Sequence, residues 1–92
     1  MRIRWLLLAV EDLERLHAFI GEDDPDAADR EVGGVVAAVG QLGRFPGLGR
    51  PGRVRGTREL VVSSYIVAYR VKHDEVQVLR FLHSARYWPR TM

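Results

Sequence analysis

Residues 57–83, TRELVVSSYIVAYRVKHDEVQVLRFLH, decide the fold. Three runs rich in Val, Ile, Leu, Tyr and Phe (TRELVV, YIVAYRVK and EVQVLRFLH) are separated only by Ser63-Ser64 and His73-Asp74, short enough for tight hairpin turns. The pattern predicts a three-stranded antiparallel meander. Alternation sets Val67, Tyr69 and Val71 against Ile66 and Ala68 in the middle run, and Val76, Val78 and Leu82 against Leu79 and Phe81 in the last. Both faces of the sheet are therefore apolar, and an apolar face left uncovered marks a partner site. The same alternation places Arg80 beside Val76, Val78 and Leu82. A guanidinium in such company must meet a carboxylate or open onto a surface. Glu59, the only acid of the strand run outside the His73–Glu75 turn, is the intramolecular candidate. The favoured alternative opens Arg80, with Arg58 and Arg86, into a basic groove.

Working outward, MRIRW alternates polar and apolar residues and predicts an N-terminal strand. Ala9, Leu13, Leu16 and Ile20 then recur at spacings of four, three and four, one apolar stripe along a helix that carries Glu11, Asp12, Glu14 and Arg15 on its other face. GEDDPD ends that helix. Asp24 stands where an N-cap belongs, Pro25 at the first helical position and Asp26 in the first turn, so a second helix starts there. Its apolar face is Ala28, Val32, Val35, Val36, Val39 and Leu42, and Gly43 with Pro46 supplies the stop. Gly33, Gly34 and Gly40 lie inside it, each costing on the order of 1 kcal/mol against Ala; such glycines are usually just tolerated, the alternative being a close approach by another helix or the sheet. RFPGLGRPGRVRG, with no hydrophobic period, reads as a surface loop. The expectation is a single α+β domain over residues 1–92: an N-terminal strand, a helical hairpin, then the meander forming one sheet packed on the helices.

The 92 residues, 47% hydrophobic and 28% charged, suit one domain with a thin core that gains from a partner. There is no cysteine, which excludes disulfides and thiolate metal sites. The apolar run after Arg4 is interrupted by Glu11, Asp12 and Glu14 far short of the roughly 20 residues of a membrane span, so the chain reads as cytoplasmic with no membrane partner. Net charge is +2, but residues 1–43 hold nine acids against four arginines, and residues 44–92 ten basic residues against three acids. Arg44, Arg50, Arg53, Arg55 and Arg58 follow one another with no acid between them, a pattern that suits phosphates or a carboxylate-rich peptide.

No Walker or dinucleotide fingerprint is present, and His17, His73 and His83 are too scattered to share a metal, so no cofactor and no metal are expected. What carries chemistry is the arginine loop and the packet VLRFLHSARYWPR, residues 78–90. Metal-free RNA cleavage needs a base, an acid and cations that steady the phosphorane, roles open to His83, Tyr87, Arg58 and Arg86. Arginines beside aromatic groups, Trp88 included, equally stack on bases or fill a protein interface without any chemistry.

The ordered set RFPGLGRPG, GTRELVV, YIVAYRV and VLRFLHSARYWP, after a strand and a helical hairpin, resembles the RelE/ParE superfamily of type II toxin-antitoxin toxins over the whole chain. The resemblance implies a small α+β toxin in hetero-oligomeric complex with a cognate antitoxin. ParE-like members poison DNA gyrase, whereas RelE-like members cut messenger RNA on the ribosome. Many of the ribonucleases carry arginine at the position of Ile66 and a further cation where Leu60 stands, so the pattern here is similar to ParE rather than RelE. The resemblance implies gyrase inhibition first, and ribosome-dependent cleavage by Arg58, His83, Arg86 and Tyr87 as the alternative. The acid-free loop, the uncovered sheet face and the C-terminal packet lie close together in sequence, so Arg44, Arg50, Arg53, Arg55, Arg80 and Trp88 are the expected contacts for antitoxin or target.

Overall fold

Ser63 at φ 53°, and His73 and Asp74 at φ 55° and 56°, reverse the chain twice within the strand-rich half. Positive φ at both central residues gives the second turn the twist that matches paired strands, and a single positive φ at the first position does the same for the other. The computed structural model describes residues 1–83. In it the two turns join β3 (Arg58–Val62), β4 (Tyr65–Lys72) and β5 (Glu75–His83) into the expected antiparallel meander. The N-terminal strand β1 (Arg2–Trp5) lies parallel to β5, from Arg2 opposite Glu75 to Trp5 opposite Val78. A two-residue strand β2 (Arg50–Pro51) pairs with Arg58 and Glu59. The result is a five-stranded mixed sheet in the order β1-β5-β4-β3-β2. The arginine-rich stretch is thus not wholly loop, because it supplies that short edge strand.

Helices α1 (Leu7–Gly21) and α2 (Pro25–Gly40) form the predicted hairpin, and a single 3-10 turn over Gln41–Gly43 follows. Asp24 accepts a hydrogen bond from the Ala27 N–H at 3.0 Å, with Pro25 opening α2, as the cap pattern requires. His17 Nε2 and Asp29 Oδ1, 2.8 Å apart, tie the two helices on their outer side. Ala9, Val35, Val39 and Leu42 pack on Leu60, Val67, Tyr69, Val76, Val78 and Phe81, which places the main core between hairpin and sheet. Val36, expected on the buried stripe, is exposed instead. None of the described helices is long and apolar enough to cross a membrane.

Among the described residues nothing approaches the glycines inside α2: a Cβ at Gly33, Gly34 or Gly40 would meet no atom of them within 4 Å. Each carries only the entropic penalty of glycine in a helix. Gly34→Ala is therefore expected to raise stability by about 0.5–1 kcal/mol in urea denaturation. A loss of stability would show that this helix face is covered in the native state.

One irregularity re-sorts the sheet faces. Ala68 lies opposite Arg80 and Tyr69 opposite Val78, so Leu79 is an extra residue, a bulge in β5. Side chains after it change sides. Phe81 joins Val76 and Val78 in the main core, while Leu82 packs with Ile66 and Ala68 on the second face. Arg80, opposite Ala68, shares that second face and not the face of Val76 and Val78. Ile66 and Ala68 are themselves buried, so the second face is not the open apolar patch that alternation predicted.

Candidate interaction surface

Arg80 is neither paired with Glu59 nor open beside Arg58. Its Nε donates to Asp12 Oδ2 at 2.8 Å and its Nη2 to Asp12 Oδ1 at 3.1 Å, a two-point clamp between β5 and α1. The same carboxylate accepts the Phe81 backbone N–H at 3.0 Å and Arg15 Nη2 at 3.2 Å. The reason lies in the ladder. β1 pairs with β5 only as far as Val78, and the chain then turns into α1, leaving the Phe81 donor on an unpaired edge. Asp12 replaces the missing strand. Burial alone would push its carboxyl up, but Arg80, the Phe81 N–H and Arg15 together hold it below the ordinary carboxylate value.

Glu59, only 2% exposed, serves the arginine loop. It accepts from Arg50 Nη2 at 3.3 Å and from the Arg53 backbone N–H at 3.2 Å, with Arg53 Nε 3.9 Å away. The preceding loop is pinned from the core side. Tyr69 Oη accepts from the Gly49 N–H at 2.8 Å and donates to the Pro46 carbonyl at 2.7 Å. Arg58 Nη1 donates to the Gly49 carbonyl at 2.7 Å. Gly49 is consequently held at both backbone groups, and a Cβ there would stand 2.7 Å from the Tyr69 ring and hydroxyl and 2.9 Å from the Glu59 carbonyl oxygen. Gly49→Ala is expected to cost about 1–3 kcal/mol by overpacking, measured as a lower urea midpoint with the slope retained.

These bonds separate residues that the sequence suggested as one groove. Arg58 alternates with Leu60 and Val62, which pack in the main core, so it lies on the helix side of the sheet while Arg80 lies on the other. Arg44 is exposed, with its guanidinium 6.0 Å from the centre of the Phe45 ring. Arg50 and Arg53 keep half-exposed side chains while bound to Glu59, and Arg55 is exposed. His83 stands edge-on to Tyr65, ring centres 5.4 Å apart. Burial, then the charge of Glu31, pushes the Tyr65 phenol up, so it stays protonated at neutral pH. Arg86, Tyr87 and Trp88 lie outside the described residues.

A groove of about 500 Å³ opens on the second face, between the first turn of α1 and the 54–57 loop. Its floor is Arg70, Leu79 and Arg80, and its walls include Leu7, Leu8 and Arg55. Leu7 and Leu8 are 73% and 55% exposed. Sequence reading passed over both and also missed Asp12 as a partner for Arg80. The signal for the leucines was present: in WLLLAV only Ala9 belongs to the stripe that α1 buries, leaving Leu7 and Leu8 without a place on it.

A mixed five-stranded sheet backed by a helical hairpin has counterparts among known proteins. The chromosomal ParDE toxin-antitoxin system of P. aeruginosa contains a chain 30% identical in sequence, superposing with a TM-score of 0.82 over 90% of this chain and 95% of that one. A chain of the RelBE2 toxin-antitoxin complex of Mycobacterium tuberculosis is 31% identical, with a TM-score of 0.68 over 89% and 95%. Y4kP of Sinorhizobium fredii, named as a candidate toxin, is 44% identical over 99% of this chain and 96% of its own length. Toxin RelE3 of Caulobacter vibrioides is 35% identical over 83% and 86%. Fold and relatives define a toxin of the RelE/ParE superfamily. A family model described as the ParE toxin of the type II toxin-antitoxin system parDE matches residues 3–88, and the chain belongs to that family.

Proposed function

We propose that this toxin works by binding and not by cleavage: it inhibits DNA gyrase in the cytoplasm and is neutralised by a cognate antitoxin. The observation that carries the reading is the lack of gathered cations, among the described residues, where a ribonuclease centre would need them. Arg58 is bonded to the Gly49 carbonyl, Ile66 is buried where many ribonucleases of the superfamily carry arginine, and Leu60 packs in the main core where a further cation would stand. Cations assembled for phosphoryl chemistry must converge on one oxygen-rich centre. Of the candidate arginines only Arg58 lies among the described residues, and it is bound to the chain's own backbone. The family match to ParE toxins supports the same ranking, and the relatives from toxin-antitoxin complexes support an antitoxin partner.

The test uses the purified chain in two assays, DNA supercoiling by gyrase and messenger cleavage on translating ribosomes. Supercoiling is expected to stop while messenger stays intact, and overexpression is expected to induce a DNA-damage response before translation falls. Ribosome-dependent cleavage that drops roughly 100-fold or more in Arg86→Ala would assign the chain to the ribonucleases instead.

A further inference from the structure

We infer that the groove between the first turn of α1 and the 54–57 loop is the seat of an antitoxin segment that carries apolar side chains flanked by carboxylates. The inference rests on the antitoxin reading above and adds the place and the chemistry of the contact. Three observations converge on it. Leu7 and Leu8, exposed side by side, face Leu79 across the groove and offer an apolar floor and wall. Arg55, Arg70 and Arg80 surround that apolar patch. Of these, only Arg80 is paired with a carboxylate among the described residues, because Arg70 Nε donates to the neutral Gln77 side chain at 2.7 Å and no ion pair involves Arg55. The groove therefore keeps uncompensated positive charge next to apolar surface. Finally, α1 begins with no side-chain cap and no acid in its first turn, so its N-terminal N–H groups add to the positive field on the same side.

A segment that is apolar alone would leave the guanidinium groups desolvated without partners, and one that is acidic alone would leave the leucines wet. An amphipathic acidic segment satisfies both. Charge then governs the rate of encounter and the apolar contact governs the lifetime of the complex.

The experiment measures affinity and association rate between the full-length toxin and the product of the adjacent open reading frame, using Leu7→Asp, Leu8→Asp and Arg55→Glu. Acids in the first helical turn favour the helix dipole, so the leucine variants are expected to fold with unchanged circular dichroism. Each variant is expected to weaken binding by about 10-fold or more, as loss of a central anchor does. Arg55→Glu is also expected to flatten the dependence of association rate on salt. Wild-type affinity in all three folded variants overturns the groove assignment and leaves the antitoxin reading standing. Variants that keep antitoxin affinity but lose gyrase inhibition overturn it in favour of the target. If the wild-type chain binds no product of either neighbouring frame, the antitoxin reading itself fails.

Discussion

Asp12→Ala is expected to destabilise the toxin by about 3 kcal/mol, the usual cost of removing one partner of a buried ion pair, and to lower Tm by roughly 15 °C for a domain of this size. The carboxylate is 6% exposed and the Arg80 side chain 24%, so the guanidinium left behind is only partly rehydrated. The Phe81 N–H, buried at the strand edge, loses its acceptor in the same step. Asp12→Asn retains an oxygen for that N–H but not the charge, and its cost should fall to about half. The pH dependence has a definite sign. Since the folded carboxyl titrates below its ordinary value of 3.8, its contribution is present above that value and disappears as the pH falls through the lower folded value. The stability gap between wild type and Asp12→Asn should therefore be full at pH 7 and narrow in strong acid. Urea denaturation across that range, with an Asp12/Arg80 double-mutant cycle, checks both points. A cost below 1 kcal/mol for Asp12→Ala would mean that the attraction within the clamp barely exceeds the cost of burying its charges.

Tyr69→Phe is the second large effect. The hydroxyl is the one group that joins the Gly49 N–H and the Pro46 carbonyl, and the fully buried ring cannot be replaced there by water without opening the core. Removing one oxygen leaves two polar backbone groups without their partner, at about 2 kcal/mol in total. The damage should be local. Hydrogen exchange at Gly49 is expected to accelerate well beyond the global change, and the arginine loop that starts at Gly49 should lose its fixed course. If Tyr69→Phe lies within 0.5 kcal/mol of wild type, the loop is held by Glu59 and Arg58 alone.

The meander, both turns, the hairpin and the Asp24 cap were legible because each depends on residues near one another in sequence. Alternation, short polar turns and an Asp-Pro helix start act locally, and no distant contact overrides them here. Arg80 was misread for a physical reason. Its face depends on the bulge at Leu79, and its partner sits on α1, 68 positions away along the chain. Strand alternation carries no information about an inserted residue that the partner strand tolerates. The expected grouping of Arg58 with Arg80 failed on the same ground, since Arg58 is held by the Gly49 carbonyl and Arg80 by Asp12 at the β5 edge, while Arg86 lies outside the described residues.

By itself the sequence determined a two-helix α+β fold with a basic C-terminal half, because periodicity and the order of elements are properties of the chain; the toxin family rested on resemblance. Only the tertiary structure decided how the charges are used. Asp12 is bound to the β5 edge because β1 ends too early to pair there, Glu59 is turned inward to hold Arg50 and Arg53, and Leu7 and Leu8 are left outside because α1 has one buried stripe and they are not on it. For the two acids the reason is desolvation: a carboxylate can enter the interior only where donors from distant segments already meet, and where they meet is fixed by packing.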